Sequence, residues 1–178
     1  MEAINRPDPM RRKIFADNRH AYFVTFSCLR RRKLLENDRA KAIVVHFLAA
    51  QLKNQSGHCM GFVIMPDHVH ALIHFQQPQT LSVFIGQWKR RSSIALKSLF
   101  QKYLTCYGDQ IDLKGGMWQP KYYVFNIFSQ DKAIEKLTYM HNNPVAAGLV
   151  AKAQDWRFSS AGWYLLKRSV GVPVTPIV

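Results

Sequence analysis

Gly61-Phe62-Val63-Ile64-Met65-Pro66-Asp67-His68-Val69-His70-Ala71-Leu72-Ile73-His74-Phe75 is the stretch whose reading decides the fold. Two apolar, β-prone runs, Phe62 to Met65 and Val69 to Phe75, flank Met65-Pro66-Asp67. Proline fixes φ and aspartate bonds its own backbone, so the centre reads as a turn and the whole as a tight hairpin. Side chains alternate along a strand, which puts His68 and His70 on one face and Val69 and Ala71 on the other. Two neutral imidazoles so placed form a chelating pair that needs one further oxygen or nitrogen donor to hold a divalent metal with positions left open. His74 shares the face and reads either as an outer partner or as a core histidine.

Working outward, Tyr22 to Leu29 alternates and is rich in aromatic and β-branched residues, which predicts a first strand. From the N-cap Asn37, the spacing of Ala40, Ile43, Val44, Phe47, Leu48 and Leu52 predicts an amphipathic helix ending near Asn54 or Gly57. A second helix is predicted from Thr80, with a stripe of Leu81, Phe84, Ile85, Trp88, Ala95, Leu96, Leu99 and Tyr103; Lys89, Arg90 and Lys97 fall off it. Trp118 to Phe128 reads as a last strand. Ser129 then caps a third helix with Ala133, Ile134 and Leu137 as its buried stripe, ending at Asn143 before Pro144. A short helical patch ends at Leu166. The order β-α-β-β-α-β-α predicts an α+β fold: a ferredoxin-like antiparallel sheet (split βαβ) with helices on one face, His-x-His on a central strand and Tyr139 on a C-terminal helix. Residues 1–178 are read as a single domain, with 1–20 a polar arm and 167–178 an extended or mobile tail.

Lys and Arg number 25 against 11 Asp and Glu, a net charge of +14 whose field attracts polyanions. The charges come in runs, Arg11-Arg12-Lys13, Arg30 to Lys33 and Lys89 to Arg91, so nucleic acid is the first candidate partner. Arg11, Arg12, Arg30, Arg31, Lys89, Arg90 and Lys121 are the candidate backbone contacts. Trp118, with Tyr122 and Tyr123, is a candidate stacking surface. Arg11 to Lys13 reads equally as a phosphate clamp or as a solvated arm, and core packing competes for each aromatic. Cys28, Cys59 and Cys106 form no CxxC and no even framework, which argues against a disulfide scaffold or a structural zinc site and favours reduced core thiols. Neither a signal-peptide h-region nor a run of membrane-spanning length occurs, which predicts a cytoplasmic, nucleoid-associated protein without membrane contact.

Tyr139 lies two residues past Leu137, about 200° around a helix of 3.6 residues per turn, hence off the buried stripe. It shares its face with Glu135, Asn142 and Asn143. A large aromatic among polar residues suits a reagent better than packing. Several histidine chemistries drop out: a histidine triad needs a third His where Leu72 stands, two-histidine phosphoesterases need a second H-x-T/S copy, and HExxH proteases need a helix and a Glu. Metal-assisted phosphoryl transfer with a tyrosine nucleophile remains, since a Tyr hydroxyl can attack a phosphodiester and hold the product covalently. Because the phosphotyrosine conserves the bond energy, no nucleotide cofactor is needed, in keeping with the lack of a GxxxxGKS loop.

MPDHVHALI and TYMHNNPVAAGLV, with WQPKYY before the second and DWRFSSAGWY after it, resemble the REP-associated tyrosine transposases of the HUH (His-hydrophobic-His) single-strand DNA endonuclease superfamily. The resemblance runs from the first strand to about Tyr164. It implies that Tyr139 is the nucleophile, that His68 and His70 bind Mg2+ or Mn2+, and that Asn143 completes the metal site. The implied substrate is single-stranded DNA with hairpins (REP-like palindromes), cleaved and rejoined through a 5′-phosphotyrosine by a monomer or homodimer. Asp67 stands where many relatives have Asn, and Ala146 where they often have Arg; His141 points away from Tyr139. The alternative is a domesticated module that binds structured DNA or RNA without cutting, and a replication initiator with a similar site is a third reading.

Overall fold

The computed structural model describes residues 21–76, 80–103 and 115–177. Four strands, β1 (Ala21–Ser27), β2 (His58–Ile64), β3 (His68–His74) and β4 (Tyr123–Asn126), form one antiparallel sheet in the order β2-β3-β1-β4. That order is the ferredoxin-like one, and β3 with its histidines is central. Among the described residues four α-helices accompany it: α1 (Asp38–Asn54), α2 (Thr80–Tyr103), α3 (Gln130–Ala146) and α4 (Ala161–Leu166).

Alternation sorts β1 and β3 cleanly. Tyr22, Val24 and Phe26 on β1, with Val69, Ala71 and Ile73 on β3, point to the face covered by α1 and α2. Ala21 and Phe23, with Leu72, point to the other face, against Ala133, Leu137 and Met140 of α3. Helices on one face therefore describes α1 and α2; the tyrosine-bearing α3 lies across the sheet, on the histidine side. Trp88 is fully buried, and its indole N–H donates to the Val44 carbonyl at 2.9 Å, pinning α2 to α1. The strand β2 carries a register shift between Cys59 and Gly61, so Met60 joins the α3 side one residue early.

Both main helix caps match their residues. Asn37 accepts from the Arg39 N–H at 2.8 Å and Ser129 from the Lys132 N–H at 3.2 Å. Three boundaries differ from the sequence reading. The last strand is only Tyr123–Asn126, because Pro120 has no N–H to pair; Trp118 makes a lone bridge to Cys28. On β1 the strand stops at Ser27 and gives way to a 3-10 turn at Leu29–Arg31. Third, α3 runs through Pro144 to Ala146. It closes there because Gly148, at φ 68°, donates to Val145 O while Leu149 N–H donates to Pro144 O, both at 2.9 Å, the paired bonds of a Schellman cap.

The segment after α3 runs along the free edge of β2. Ile64 N–H donates to Phe158 O at 2.8 Å, Ser160 N–H donates to Phe62 O at 2.9 Å, and Trp156 Nε1 donates to Ile64 O at 3.0 Å. Ser160 Oγ also accepts from Phe62 N–H at 2.9 Å and meets His141 Nε2 of α3 at 2.7 Å. The DWRFSS motif is thus a clasp that joins β2 to the tyrosine helix. The tail lies along the other end of the same edge: Val170 and Val172 are buried, and Thr175 N–H donates to Cys59 O at 2.7 Å. Cys28 and Cys59 are buried free thiols, and burial pushes both up to about 12; Cys106 and residues 1–20 lie outside the described residues.

Candidate active site

Register brings the histidines to their partners. Thr25 of β1 pairs with His70 of β3, and Ser27 with His68. Thr25 Oγ1 stands 2.6 Å from His70 Nδ1, and Asp67 Oδ1 stands 2.6 Å from His68 Nδ1. Each ring therefore has its Nδ1 occupied, an arrangement that fixes ring orientation and leaves Nε2 to act. His70 Nε2 is buried and has no hydrogen-bond partner. Burial, reinforced by His68, lowers the His70 pKa to about 3; burial also lowers that of His68, against the opposing pull of Asp67.

The imidazoles meet edge to face with ring centroids 4.8 Å apart. Phe23 stacks on His70 at 5.3 Å, and the Tyr139 ring stands edge-on to His70 at 5.6 Å and to Phe23 at 6.2 Å. Tyr139 is 54% exposed although it belongs to a helix packed on the sheet. One edge of the phenol is held by the pair while the rest faces solvent, which is what access to a large substrate requires. One turn later on the same face, Asn143 is half-buried and its Nδ2 is buried without a partner. Amide O and N are exchangeable by a flip, and the flipped rotamer puts an oxygen acceptor there instead.

Among the described residues no cluster of three or more His, Cys, Asp or Glu side chains is arranged to hold a metal. The donors available are the two imidazole nitrogens of β3 and, on α3 one turn after Tyr139, the Asn143 amide. Two orphaned buried polar atoms, His70 Nε2 and the Asn143 amide, fit a group that accepts their lone pairs.

The candidate nucleic-acid residues separate. Trp118 is 6% exposed, donates from Nε1 to Ser92 Oγ at 3.0 Å and stands edge-on to Phe26 at 4.8 Å, so it is a core residue with no face for a base. Lys89 donates to Gln119 O at 2.6 Å and Pro120 O at 2.9 Å, holding the approach to β4, and burial lowers its pKa. Arg31 is paired with Asp67 at 2.9 Å. Arg30, Arg90 and Lys121 are exposed, as are Tyr122 and Tyr123, while Arg11 and Arg12 lie outside the described residues. Tyr123 pairs with Thr25 and Phe125 with Phe23, so both belong to the histidine side of the sheet. Lys136 of α3 lies over Phe125 at 4.9 Å and Phe23 at 5.8 Å. Thr25 and the Arg31–Asp67 pair beside the histidines, and Lys136 over Phe23, were invisible to local spacing, because only the strand register and the docking of α3 bring them to this side of the sheet.

A ferredoxin-like sheet with a central His-x-His strand and a solvent-open tyrosine on a docked helix is the arrangement expected from the resemblance, and comparison with known proteins gives the class, a transposase. Residues 16–143 match the family model described as "Transposase IS200 like", so the chain belongs to the IS200-like transposase family. Among solved structures, the fold is similar to that of a REP-associated tyrosine transposase bound to a REP hairpin, with a TM-score of 0.65 at 18% identity, covering 99% of this chain and 90% of that one. A candidate transposase from Deinococcus radiodurans R1 aligns with a TM-score of 0.49 at 19% identity, over 68% of this chain and 88% of that one. No curated protein matches the chain.

Proposed function

We propose that this protein is an HUH-type tyrosine endonuclease and strand transferase that cleaves and rejoins single-stranded DNA carrying REP-like hairpins. One observation carries the reading: the Tyr139 ring lies 5.6 Å from that of His70 within one chain, so nucleophile and chelating pair meet without a second subunit. In the step proposed, Tyr139 Oη releases its proton to solvent and attacks the scissile phosphorus, and a phosphotyrosine bond forms. The bond from phosphorus to the 3′ oxygen breaks, and that oxygen leaves as a 3′-hydroxyl after taking up a proton. Attack by a 3′-hydroxyl on the phosphotyrosine reverses the exchange and rejoins the strands. His68 Nε2, His70 Nε2 and the Asn143 amide oxygen are the atoms that would hold Mg2+ or Mn2+, which when bound polarises the phosphate and offsets its developing charge. Phe23 limits water on one side of His70. Arg90, Lys121 and the net charge of +14 favour a polyanion, and the exposed Tyr123 offers a ring for a base. Assembly in one chain suits a monomer. Among the described residues no helix is long and apolar enough to cross a membrane, and we propose a cytoplasmic, nucleoid-associated site of action.

The decisive experiment incubates a single-stranded REP-like hairpin with the protein and Mn2+ and resolves the products on a denaturing gel. Tyr139→Phe keeps the ring contacts and removes the hydroxyl. It is expected to bind the hairpin within about twofold of wild type yet form no covalent protein–DNA adduct; an adduct that persists overturns the assignment. The non-cleaving alternative predicts steeply salt-dependent binding with no adduct even in the wild-type protein.

A further inference from the structure

Immediately after β1, Arg30 and Arg31 both occupy the left-handed backbone region, at φ 57° and 56°. Residues with a Cβ rarely enter it, and two in succession outside glycine are unusual. Such outliers persist where the surroundings over-determine them. Here the turn brings Arg31 Nε to 2.9 Å from Asp67 Oδ2 and lets its Nη1 donate to Ser27 Oγ at 2.9 Å. The other carboxylate oxygen, Oδ1, stands 2.6 Å from His68 Nδ1. The backbone closes the loop: Cys28 N–H donates to Asp67 O and Leu35 N–H to Pro66 O, both at 2.8 Å. Guanidinium, carboxylate and imidazole therefore form one chain of contacts, anchored at both ends in the sheet. Folding alone asks for no arginine here, because glycine reaches the same φ without strain.

We propose that Arg31 is a positioning residue for the cation-holding pair. Its guanidinium fixes the Asp67 carboxylate, Asp67 keeps the ring proton of His68 on Nδ1, and His68 Nε2 is thereby presented as a lone pair to a divalent cation. This assignment rests on the reading of His68 and His70 as metal-holding residues. It removes Arg31 from the phosphate contacts and gives the doubly left-handed turn a purpose. Groups that orient an imidazole ligand in this way change metal affinity by about 10–100-fold when removed.

The test compares wild type with Arg31→Gly, Arg30→Gly and His68→Ala by Mn2+ calorimetry on the full chain. In parallel, the 15N shifts of the His68 ring in metal-free protein report its tautomer. Arg31→Gly suits the turn and should fold at least as stably as wild type, yet bind Mn2+ about 10–100-fold more weakly and show a mixed His68 tautomer. Arg30→Gly relieves the same strain without touching Asp67 and should leave both readouts unchanged. Wild-type affinity and a pure Nδ1–H tautomer in Arg31→Gly overturn the proposal. If His68→Ala binds Mn2+ as tightly as wild type, the metal reading itself fails; the tautomer measurement then still decides whether Arg31 positions His68.

Discussion

His70 is enclosed on several sides. Phe23 stacks on it, Tyr139 and His68 abut its edge, and Thr25 occupies Nδ1. With a pKa lowered to about 3 by burial, it carries no proton to donate at neutral pH and is too weak a base to take one from a phenol. A neutral imidazole with an unpartnered Nε2 is suited to ligation, which supports the metal role proposed for it. The same reasoning makes the Thr25 hydroxyl matter. Thr25→Val keeps the volume but strips His70 Nδ1 of its partner, which costs about 1–3 kcal/mol for a buried polar group left unmade. Calorimetry with Mn2+ should show affinity about tenfold weaker or more in this variant, and thermal unfolding a lower midpoint, while Thr25→Ser retains both. Equal Mn2+ affinity in Thr25→Val and wild type would contradict an orienting role for the hydroxyl.

On the scale of elements, the position of Tyr139 depends on how closely α3 can sit on β2, and that depends on Gly61. A Cβ there would collide with Leu137 Cδ1 and lie 3.2 Å from Met140 Cε, both on the buried side of α3. Both atoms are ends of flexible side chains that can shift, so Gly61→Ala repacks the seam between β2 and α3 and should destabilise the fold by about 1 kcal/mol, the low end of the cost of overpacking. Gly86, in the interior of α2, has nothing within 4 Å of an added Cβ, so Gly86→Ala should stabilise by about 0.8–1.0 kcal/mol through helix propensity. Urea titration of the two variants checks the opposite signs. The caps Asn37 and Ser129 and the off-stripe place of Tyr139 were legible because each depends on a few neighbouring residues. The buried stripe of α3 was legible only in part: Ile134 is 46% exposed, whereas His141, read as pointing away from Tyr139, is buried against Ser160. His141 follows Leu137 by four residues and so continues the buried stripe, but its partner Ser160 comes from the DWRFSS clasp, a contact across the chain that no helical period encodes. Trp118 was misread for a related reason, since an aromatic beside a lysine has the same sequence signature whether its ring is buried or offered to a base.

Across the whole molecule, the strand order could be read because a hairpin and two crossover helices leave an antiparallel sheet few ways to close. What the pattern could not say is that the sheet is sandwiched, with α1 and α2 on one face and α3 on the other, or that β2 is edged by two later segments. Sandwiching has a thermodynamic consequence, because it encloses imidazoles that an open sheet face would have left in water. His141, on the α3 side, has its pKa lowered from 6.5 to about 4 by burial. In the unfolded chain it binds a proton near pH 6.5, but the folded protein resists protonation until about pH 4. Between those values the unfolded state holds more protons, so stability rises with pH. The contribution is complete above pH 6.5 and is lost on acidification at about 1.4 kcal/mol per pH unit, on the order of 3 kcal/mol in all. His70 adds a loss of the same sign that continues toward pH 3. Urea unfolding at half-unit steps from pH 7 to pH 4.5 should therefore show a steep decline in wild type. His141→Gln preserves a polar group opposite Ser160 but does not titrate, and its decline should be shallower by about one proton's worth, 1.4 kcal/mol per pH unit. Parallel pH profiles in the two proteins would mean that His141 is protonated as readily in the fold as in the unfolded chain, and that the clasp leaves the ring open to water.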